Sequence, residues 1–310
     1  MILKIVLLTI DRAGELLLER LLGVLPENVK IELVVTRETR NYDFAGNPVV
    51  NICEKAGISY TQPSFKGKDY LDRIKEISPD LIIISNFHKI IKNDLIEIPK
   101  IGTFNLHSSL LPNLRGGTSI IWALKNGLKE TGVTLHYVTE EVDDGDVVHQ
   151  EKVPISFWDT QGSLYDKITF AKFEILNLFL KDILEGKEIT SFVQNHKKAT
   201  YLPKRKDDDG ILDLKLDMLD IYNHIRSFDP WTGAYVEVNN VKIRLRNVIP
   251  VARKMHRKVN EKYIILSKPC ESGIQSIIVQ AVDDIIENPK SYKKELTELV
   301  LEYWNKNIKE

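Results

Sequence analysis

The chain has 310 residues with a hydrophobic content of 43%, enough material for two cores, since a single core rarely grows beyond ~250–300 residues. Its 43 Lys and Arg balance 44 Asp and Glu to a formal net charge of −1, which excludes a global electrostatic pull toward nucleic acid or an anionic membrane. Two cysteines, Cys53 and Cys270, are too few for a disulfide scaffold or a thiolate metal site and fit a reducing cytoplasm.

The apolar run over residues 1–10 reads as a buried first strand. Lys4 interrupts it, it is too short to span a bilayer, and no small-residue cleavage site follows, so a soluble cytoplasmic protein is expected. Leucines at helical spacing predict a helix over residues 13–25, and KIELVVT at 30–36 predicts a strand. Asn47-Pro48 opens a short helix through Ala56, residues 58–61 form a third strand, 68–77 a helix, and the wholly apolar Leu81-Ile82-Ile83-Ile84-Ser85 a fourth strand. Strands alternating with helices of this length predict βαβ units and a mainly parallel sheet, whose ligands bind beyond the carboxyl ends of the strands. The first strand-to-helix turn, Thr9 to Gly14, lacks the G-x-G-x-x-G spacing for a pyrophosphate, which disfavours a dinucleotide-dependent oxidoreductase. Arg12 in that turn fits an acceptor phosphate or plain solvation.

Thr103-Phe104-Asn105-Leu106-His107 alternates polar and apolar residues like a strand end before the chain breaks at Leu111-Pro112. Asn105 and His107 therefore project from one side. An amide donor and an imidazole two residues apart can hold an oxyanion and move a proton, or simply cap a turn. The next strand, residues 132–137, runs into Glu140-Glu141-Val142-Asp143-Asp144-Gly145, a polar turn able to return a carboxylate to the imidazole and favour its charged form.

A helix over residues 118–126 follows Thr118 and Ser119 as candidate caps and stops at Gly127, with Trp122 as packing. Residues 152–154 continue a strand. A long helix over 160–185 turns Leu164, Ile168, Leu176, Phe179 and Ile183 inward and ends at Gly186. A polar run from Pro203 to Gly210 marks a boundary. Beyond it come a helix over 216–227, a hairpin around Asn239-Asn240, strands at 263–266 and 274–282, and an amphipathic helix over 289–305.

Asn105-x-His107-x-Ser109-Leu110-Leu111-Pro112, then Arg115-Gly116-Gly117, then Thr131-Gly132-Val133-Thr134-Leu135-His136, then Asp143-x-Gly145 closely resemble the folate-dependent formyltransferases, which include enzymes acting on glycinamide ribonucleotide, methionyl-tRNA and nucleotide-linked sugars. The likeness spans roughly residues 1–246. It implies an α/β fold with a Rossmann-like, mainly parallel sheet over residues 1–202, the catalytic domain. A smaller, mostly β, partly OB-like domain ending in a helix would occupy 203–310. The family's Asn, His and Asp triad falls on Asn105, His107 and Asp143. Asp144 also precedes Gly145, but the Asp-x-Gly pattern selects Asp143.

The resemblance further implies N10-formyltetrahydrofolate as formyl donor, a primary amine as acceptor, and no metal. The family's two pterin-holding loops correspond to Lys89, Ile90 and Ile91 and to Thr139, Glu140, Glu141, Val142 and Asp143. Ile90 and Ile91 suit a flat heterocycle or merely cover the sheet end. Residues 109–112 belong to the same pocket, and at Gly117 the amino-sugar enzymes often carry a larger residue. For the acceptor, Pro203-Lys204-Arg205-x-Asp207-Asp208-x-Gly210-x-Leu212-Asp213 and Ile225-Arg226-x-x-Asp229-Pro230-Trp231-x-Gly233-Ala234 resemble the junction of amino-sugar formyltransferases. The tRNA enzymes grip their substrate with a basic loop after the second strand. Here that stretch, residues 37–47, has two acids and no lysine. A basic run of Lys242, Arg244, Arg246, Arg253, Lys254, Arg257 and Lys258 points the other way, toward phosphate, or else to a solvated strand pair or a dimer rim. A nucleotide-linked amino sugar is therefore the expected substrate, with methionyl-tRNA as the alternative. A formyl-folate hydrolase or a non-catalytic binding protein ranks further off, and a homodimer is expected by analogy with related sugar enzymes. The role of residues 247–310 stays open.

Overall fold

A computed structural model describes residues 2–39, 46–63, 69–87, 89–203, 205–238, 241–251, 263–267 and 276–283. These fall into two compact units. One holds Met1–Ser119, Thr131–Pro154 and Tyr165–Pro203, and the other holds Ile120–Glu130, Ile155–Leu164 and the chain from Lys204 onward.

In chain order the elements of the first unit begin with β1 (Leu3–Thr9), α1 (Asp11–Leu22), β2 (Val29–Val35), α2 (Pro48–Ala56), β3 (Tyr60–Thr61), α3 (Asp69–Ile77), β4 (Leu81–Ser85), α4 (Asn93–Ile96) and β5 (Gly102–His107). After α5 (Ser119–Lys125), which belongs to the second unit from Ile120 on, they continue through β6 (Glu130–Tyr137), β7 (Val147–Pro154) and α6 (Gln161–Leu184), the last from Tyr165 on. The sheet runs β3-β2-β1-β4-β5-β6-β7. It is parallel from β3 to β5, and β6 then lies antiparallel to β5. Every residue of β4 is buried, as a central parallel strand covered on both faces requires. On one face Val6, Leu8, Leu33, Val35, Ile82 and Ile84 pack with Leu71, Ile74 and Leu95 of the crossing helices. Each such side chain, withdrawn from water, contributes ~1.5–3 kcal/mol.

Local chemistry sets the helix ends. Asn47 accepts from the amides of Val49 and Val50 while Pro48 takes the first helical position, and Gly57 closes α2 in the left-handed region with φ 67°. The hydroxyls expected to cap α5 do something else: Ser119 donates to the Ser108 carbonyl and Thr118 to that of Gly117. On α6 the inner-facing Leu164, Ile168, Leu176 and Phe179 are buried as their spacing predicts, but Lys172 is buried with them at 2% exposure.

The second unit carries α7 (Met218–Arg226) and a four-stranded antiparallel sheet of β8 (Ala234–Val238), β9 (Val241–Val251), β10 (Tyr263–Ser267) and β11 (Ser276–Asp283), ordered β10-β11-β9-β8. Asp217 caps α7 by accepting from the Asp220 amide. Arg226 is buried and donates to the carbonyls of Ser156, Phe157 and Asp159, which gives the Ile225-Arg226 pair of the sequence motif a structural job. Arg244 and Arg246 donate to the carbonyls of the 231–233 turn, and Lys242 stands over the Tyr235 ring.

The turn at Asn239-Asn240, most of the acidic stretch within residues 37–47, Arg253, Lys254, Arg257, Lys258 and the helix expected over 289–305 lie outside the described residues. Among the described residues, no helix is long and apolar enough to cross a membrane.

Candidate active site

Register places the site. Across the antiparallel β5–β6 pair, Asn105 faces His136 and His107 faces Thr134. Past β6 the chain turns back at once, with the Tyr137 amide donating to the Asp146 carbonyl at 3.0 Å. That turn carries Asp143 in the left-handed region, φ 51°, a conformation aspartate tolerates better than most residues. Asn105, His107 and Asp143, far apart in sequence, come into contact. Asp143 Oδ2 lies 3.4 Å from His107 Nδ1 and accepts from the Gly116 amide at 2.8 Å, while Oδ1 accepts from Asn105 Nδ2 at 3.2 Å. It is the Asp143 carboxylate that faces the imidazole, whereas Asp144 pairs with Arg115.

The donors are committed. His136 Nδ1 lies 2.8 Å from the Tyr137 carbonyl and donates to it, while Nε2 lies 3.1 Å from Asn105 Nδ2 and 3.5 Å from Asp143 Oδ1. Asn105 thus stands between His136 and Asp143. His107 Nε2 donates to the Leu114 carbonyl at 2.9 Å, and Leu114 itself is left-handed with φ 58°. A leucine held there stores strain of the kind found where structure over-determines a functional segment.

Electrostatics refine one expectation. Burial is the largest influence on Asp143 and opposes its ionisation. His107, His136 and the Gly116 amide outweigh that burial and hold the carboxyl well below the usual range. For His107 burial again dominates and pushes the imidazole down. Asp143 and the Leu114 carbonyl push it up without reversing the direction, and His136 and Lys172 add to the fall. The resting ring therefore favours its neutral form, contrary to the imidazolium expected from the carboxylate alone.

Several residues of the site had no assigned role in the sequence reading. Arg115, 1% exposed, spends its guanidinium on Asp144, Tyr201 Oη, His196 Nδ1 and Gln194 Oε1. Gln194 Nε2 in turn donates to the carbonyls of Asp143 at 3.0 Å and Gly145 at 2.7 Å, so the turn bearing Asp143 is clamped through its backbone. His136 and Arg115 stood in quoted motifs without a function, and Gln194 sits in a polar stretch with no pattern to mark it. Of the loop residues assigned to the donor, Ile90 and Val142 expose 78% and 48% of their surface, and Lys89, Thr139, Glu140 and Glu141 are exposed as well. Ile91 and Val138 pack on the same apolar cluster at the β1–β4 end, which brings the two loops onto common ground. The exposed apolar faces of Ile90 and Val142 beside carboxylates and backbone amides suit a flat heterocycle with a polar edge.

Amide donors, an imidazole and an ionised carboxylate converging beyond the strand ends of an α/β sheet are groups able to stabilise developing negative charge and to move protons. Residues 5–180 match the model of the formyl transferase family, and residues 204–286 match that of the formyl transferase C-terminal domain; the chain belongs to this family and is a folate-dependent formyltransferase. It is similar to the methionyl-tRNA formyltransferase of Geobacillus sp. (strain WCH70), at 36% identity over 217 residues covering 68% of each chain. Its fold is similar to that of an N-formyltransferase from Helicobacter canadensis in complex with folinic acid and dTDP-3-aminofucose, with a TM-score of 0.66 at 22% identity over 91% of this chain and 100% of that one. It is also similar to that of WlaRD, a sugar 3N-formyl transferase with dTDP and 5-N-formyl-THF, with a TM-score of 0.64 at 22% identity over 92% and 100%.

Proposed function

We propose that this enzyme passes a formyl group from N10-formyltetrahydrofolate to the primary amine of a nucleotide-linked amino sugar, working in the cytoplasm as a homodimer. The observation that carries the acceptor choice is the use of the basic residues. Arg244 and Arg246, which a tRNA phosphate backbone would need, are spent on the carbonyls of the 231–233 turn. The acid-bearing, lysine-free stretch at residues 37–47 supports the same reading, as do the folds of the dTDP-sugar enzymes named above. The identity to methionyl-tRNA formyltransferases favours tRNA as the second reading.

Ile90, Ile91, Val142 and the backbone beside them would hold the folate, which when bound supplies the formyl carbon as electrophile. Asn105 then exchanges its bond to His136 or Asp143, and His107 its bond to Leu114, for the oxygen on which negative charge develops. Each such donor typically contributes ~3 kcal/mol of transition-state stabilisation. Asp143, already ionised, takes the acceptor ammonium's proton through a water and passes it to His107, and the carboxylate so restored balances the charge that His107 gains, while the second proton lost by the attacking nitrogen goes to water. The proton on His107 is then available to the departing nitrogen.

The test is a screen of dTDP-, UDP- and GDP-linked amino sugars beside charged initiator methionyl-tRNA, with formyl transfer followed by mass. A formylated sugar with tRNA left unmodified is the expected result. Efficient formylation of methionyl-tRNA with no sugar product overturns it, and acceptor-independent release of formate marks a hydrolase instead. Light scattering at micromolar concentration checks the dimer, which a monomer mass refutes.

A further inference from the structure

Hydrophobic logic is reversed in the stretch that follows α6. The apolar Phe192 and Val193 expose 56% and 70% of their surface, while among the described residues 191–203 Gln194 alone is buried, at 3%. Burying an amide is costly unless its hydrogen bonds are made inside the protein. Gln194 makes as many as an amide can. Its Oε1 accepts from Arg115 Nη2 at 2.7 Å and Nε at 3.3 Å, and its Nε2 donates to the carbonyls of Asp143 at 3.0 Å and Gly145 at 2.7 Å. An antiparallel bridge brings it there: the backbones of Phe192 and Val147 exchange hydrogen bonds at 2.9 Å. Farther along, Thr200 takes hold of the opposite wall of the site. Its Oγ1 accepts from the Leu114 amide at 2.8 Å, its carbonyl accepts from the Arg115 amide at 2.8 Å, and its own amide donates to the Pro112 carbonyl at 3.2 Å. Leu114 is the left-handed residue whose carbonyl accepts from His107, and these bonds are what over-determine its strained backbone.

We propose that residues 192–202 form a strap that sets the 3.4 Å separation of His107 and Asp143, with Gln194 as the positioning residue for Asp143 and Thr200 as that for His107. Neither touches the reacting atoms. Gln194 holds the backbone of the residue that carries the carboxylate, and Thr200 holds the residue whose carbonyl orients the ring. One segment thus grips both partners of the pair from opposite sides. The carboxylate's own contacts close the frame, because the Gly116 amide that donates to Asp143 follows Arg115, and the Arg115 carbonyl accepts from the Leu202 amide at 2.9 Å. Without the Gln194 amide, the carbonyls of Asp143 and Gly145 lose their shared donor and the turn is free to drift from the imidazole. A displacement of ~1 Å in such a group is enough to cost ~10²-fold in rate. The strap's effect on rate rests on the formyl-transfer reading above, whereas its effect on the separation does not.

Three variants test it. Gln194→Met keeps the length of the side chain without its amide, Thr200→Val removes the hydroxyl that holds Leu114, and Thr200→Ser keeps that hydroxyl. Crystal structures of the free variants need neither donor nor acceptor. The distance from His107 Nδ1 to Asp143 Oδ2 should widen beyond 3.4 Å in Gln194→Met, and the Leu114 carbonyl should leave His107 in Thr200→Val but stay in Thr200→Ser. In turnover with the acceptor that the screen identifies, Gln194→Met should lower kcat by about 10–100-fold with KM for both substrates little altered. Thr200→Val should lower kcat by a smaller factor, and Thr200→Ser should recover it. The deciding measurement is a double-mutant cycle: in an Asp143→Asn background Gln194→Met should cost less than about twofold more, because the carboxylate it positions is already gone. An equal loss in both backgrounds marks a merely structural glutamine and overturns the proposal, as does an unchanged His107 to Asp143 separation. If Gln194→Met fails to fold, the exposed Thr200 decides, and a Thr200→Val enzyme with normal kcat and Leu114 still on His107 overturns it. A protein that formylates none of the acceptors refutes the reaction proposed above, while the crystal structures still decide the strap.

Discussion

Arg115 and Asp144 form an ion pair whose guanidinium is 1% exposed, and whose carboxylate stands one residue from the one that faces His107. Two adjacent aspartates thus serve opposite ends of the same turn. Asp143 is tied to the reacting groups, and Asp144 to a buried cation that organises Gln194 and the turn's backbone.

Replacing each separates the roles. Asp143→Asn keeps the shape but removes the charge that His107 needs when it is protonated, so kcat should fall by ~10²–10⁴, as when an orienting carboxylate is lost. Asp144→Asn still offers Arg115 an oxygen, and turnover should stay within roughly tenfold of wild type. Its stability should drop by ~1–3 kcal/mol, because a buried guanidinium loses its counter-charge. Single-turnover formyl transfer and urea melts on both variants read these effects. Near-normal activity in Asp143→Asn with loss in Asp144→Asn would show that the triad takes the wrong carboxylate.

The glycine of Asp-x-Gly makes a second, steric prediction. A Cβ at Gly145 would stand 1.9 Å from the Tyr137 carbonyl oxygen and 2.8 Å from its carbon, both backbone atoms. The return turn can close this tightly only if position 145 has no side chain. Gly145→Ala must push the turn, and Asp143 with it, away from His107. A destabilisation of ~2–4 kcal/mol and a larger loss of kcat than of donor affinity are expected, since strain and a displaced catalytic group act together. Gly117 follows Gly116, whose amide donates to Asp143, and a Cβ there meets nothing within 4 Å. Gly117→Ala should leave melting and turnover close to wild type, consistent with the larger residues that amino-sugar enzymes often place there. Equal damage from the two substitutions would count against this account of the turn.

How far the sequence reached follows from what kind of force fixes each feature. Periodicity marks β4, β5 and the inner face of α6 because burial repeats at fixed spacing, and Asn47-Pro48 marks the start of α2 because capping is local. The Asn105–His107 pair was legible for the same reason, two side chains on one side of one strand. Gln194 and Lys172 were not. Each acts through a contact across many residues, Gln194 with Asp143 and Lys172 with Asn86, and neither spacing nor residue type announces such a partner. The capping role expected of Ser119 failed on a similar ground: a neighbouring carbonyl, Ser108, claims the hydroxyl once the chain is folded. The charge state of His107 was misjudged because a carboxylate can be read from a motif, whereas the burial that outweighs it belongs to the tertiary structure.

Burial of Lys172 also leaves a signature in stability. Its folded value, pushed down to about 7 by burial with Asp143 opposing, lies below the ~10.4 of an unfolded lysine. Between those values the unfolded chain binds a proton that the folded protein does not, so stability rises with pH across this window. Below about pH 7 both states are protonated, and the folded state carries the whole cost of the buried charge. Lys172→Met removes the group and its slope, while the other titrating residues, apart from His107, which loses the lysine's influence, are common to both proteins and cancel in the difference. The variant should therefore compare best with wild type at pH 6–7, where an apolar side chain of similar volume replaces a charged one. Its relative stability should then decline by ~1–3 kcal/mol as pH rises to ~9, the amount a proton released over that range supplies. Urea unfolding of both proteins at pH 6, 7, 8 and 9 measures the difference directly. A gap that stays constant across the series means that Lys172 keeps its ordinary affinity for protons in the fold, and that the ammonium is compensated by something other than Asp143.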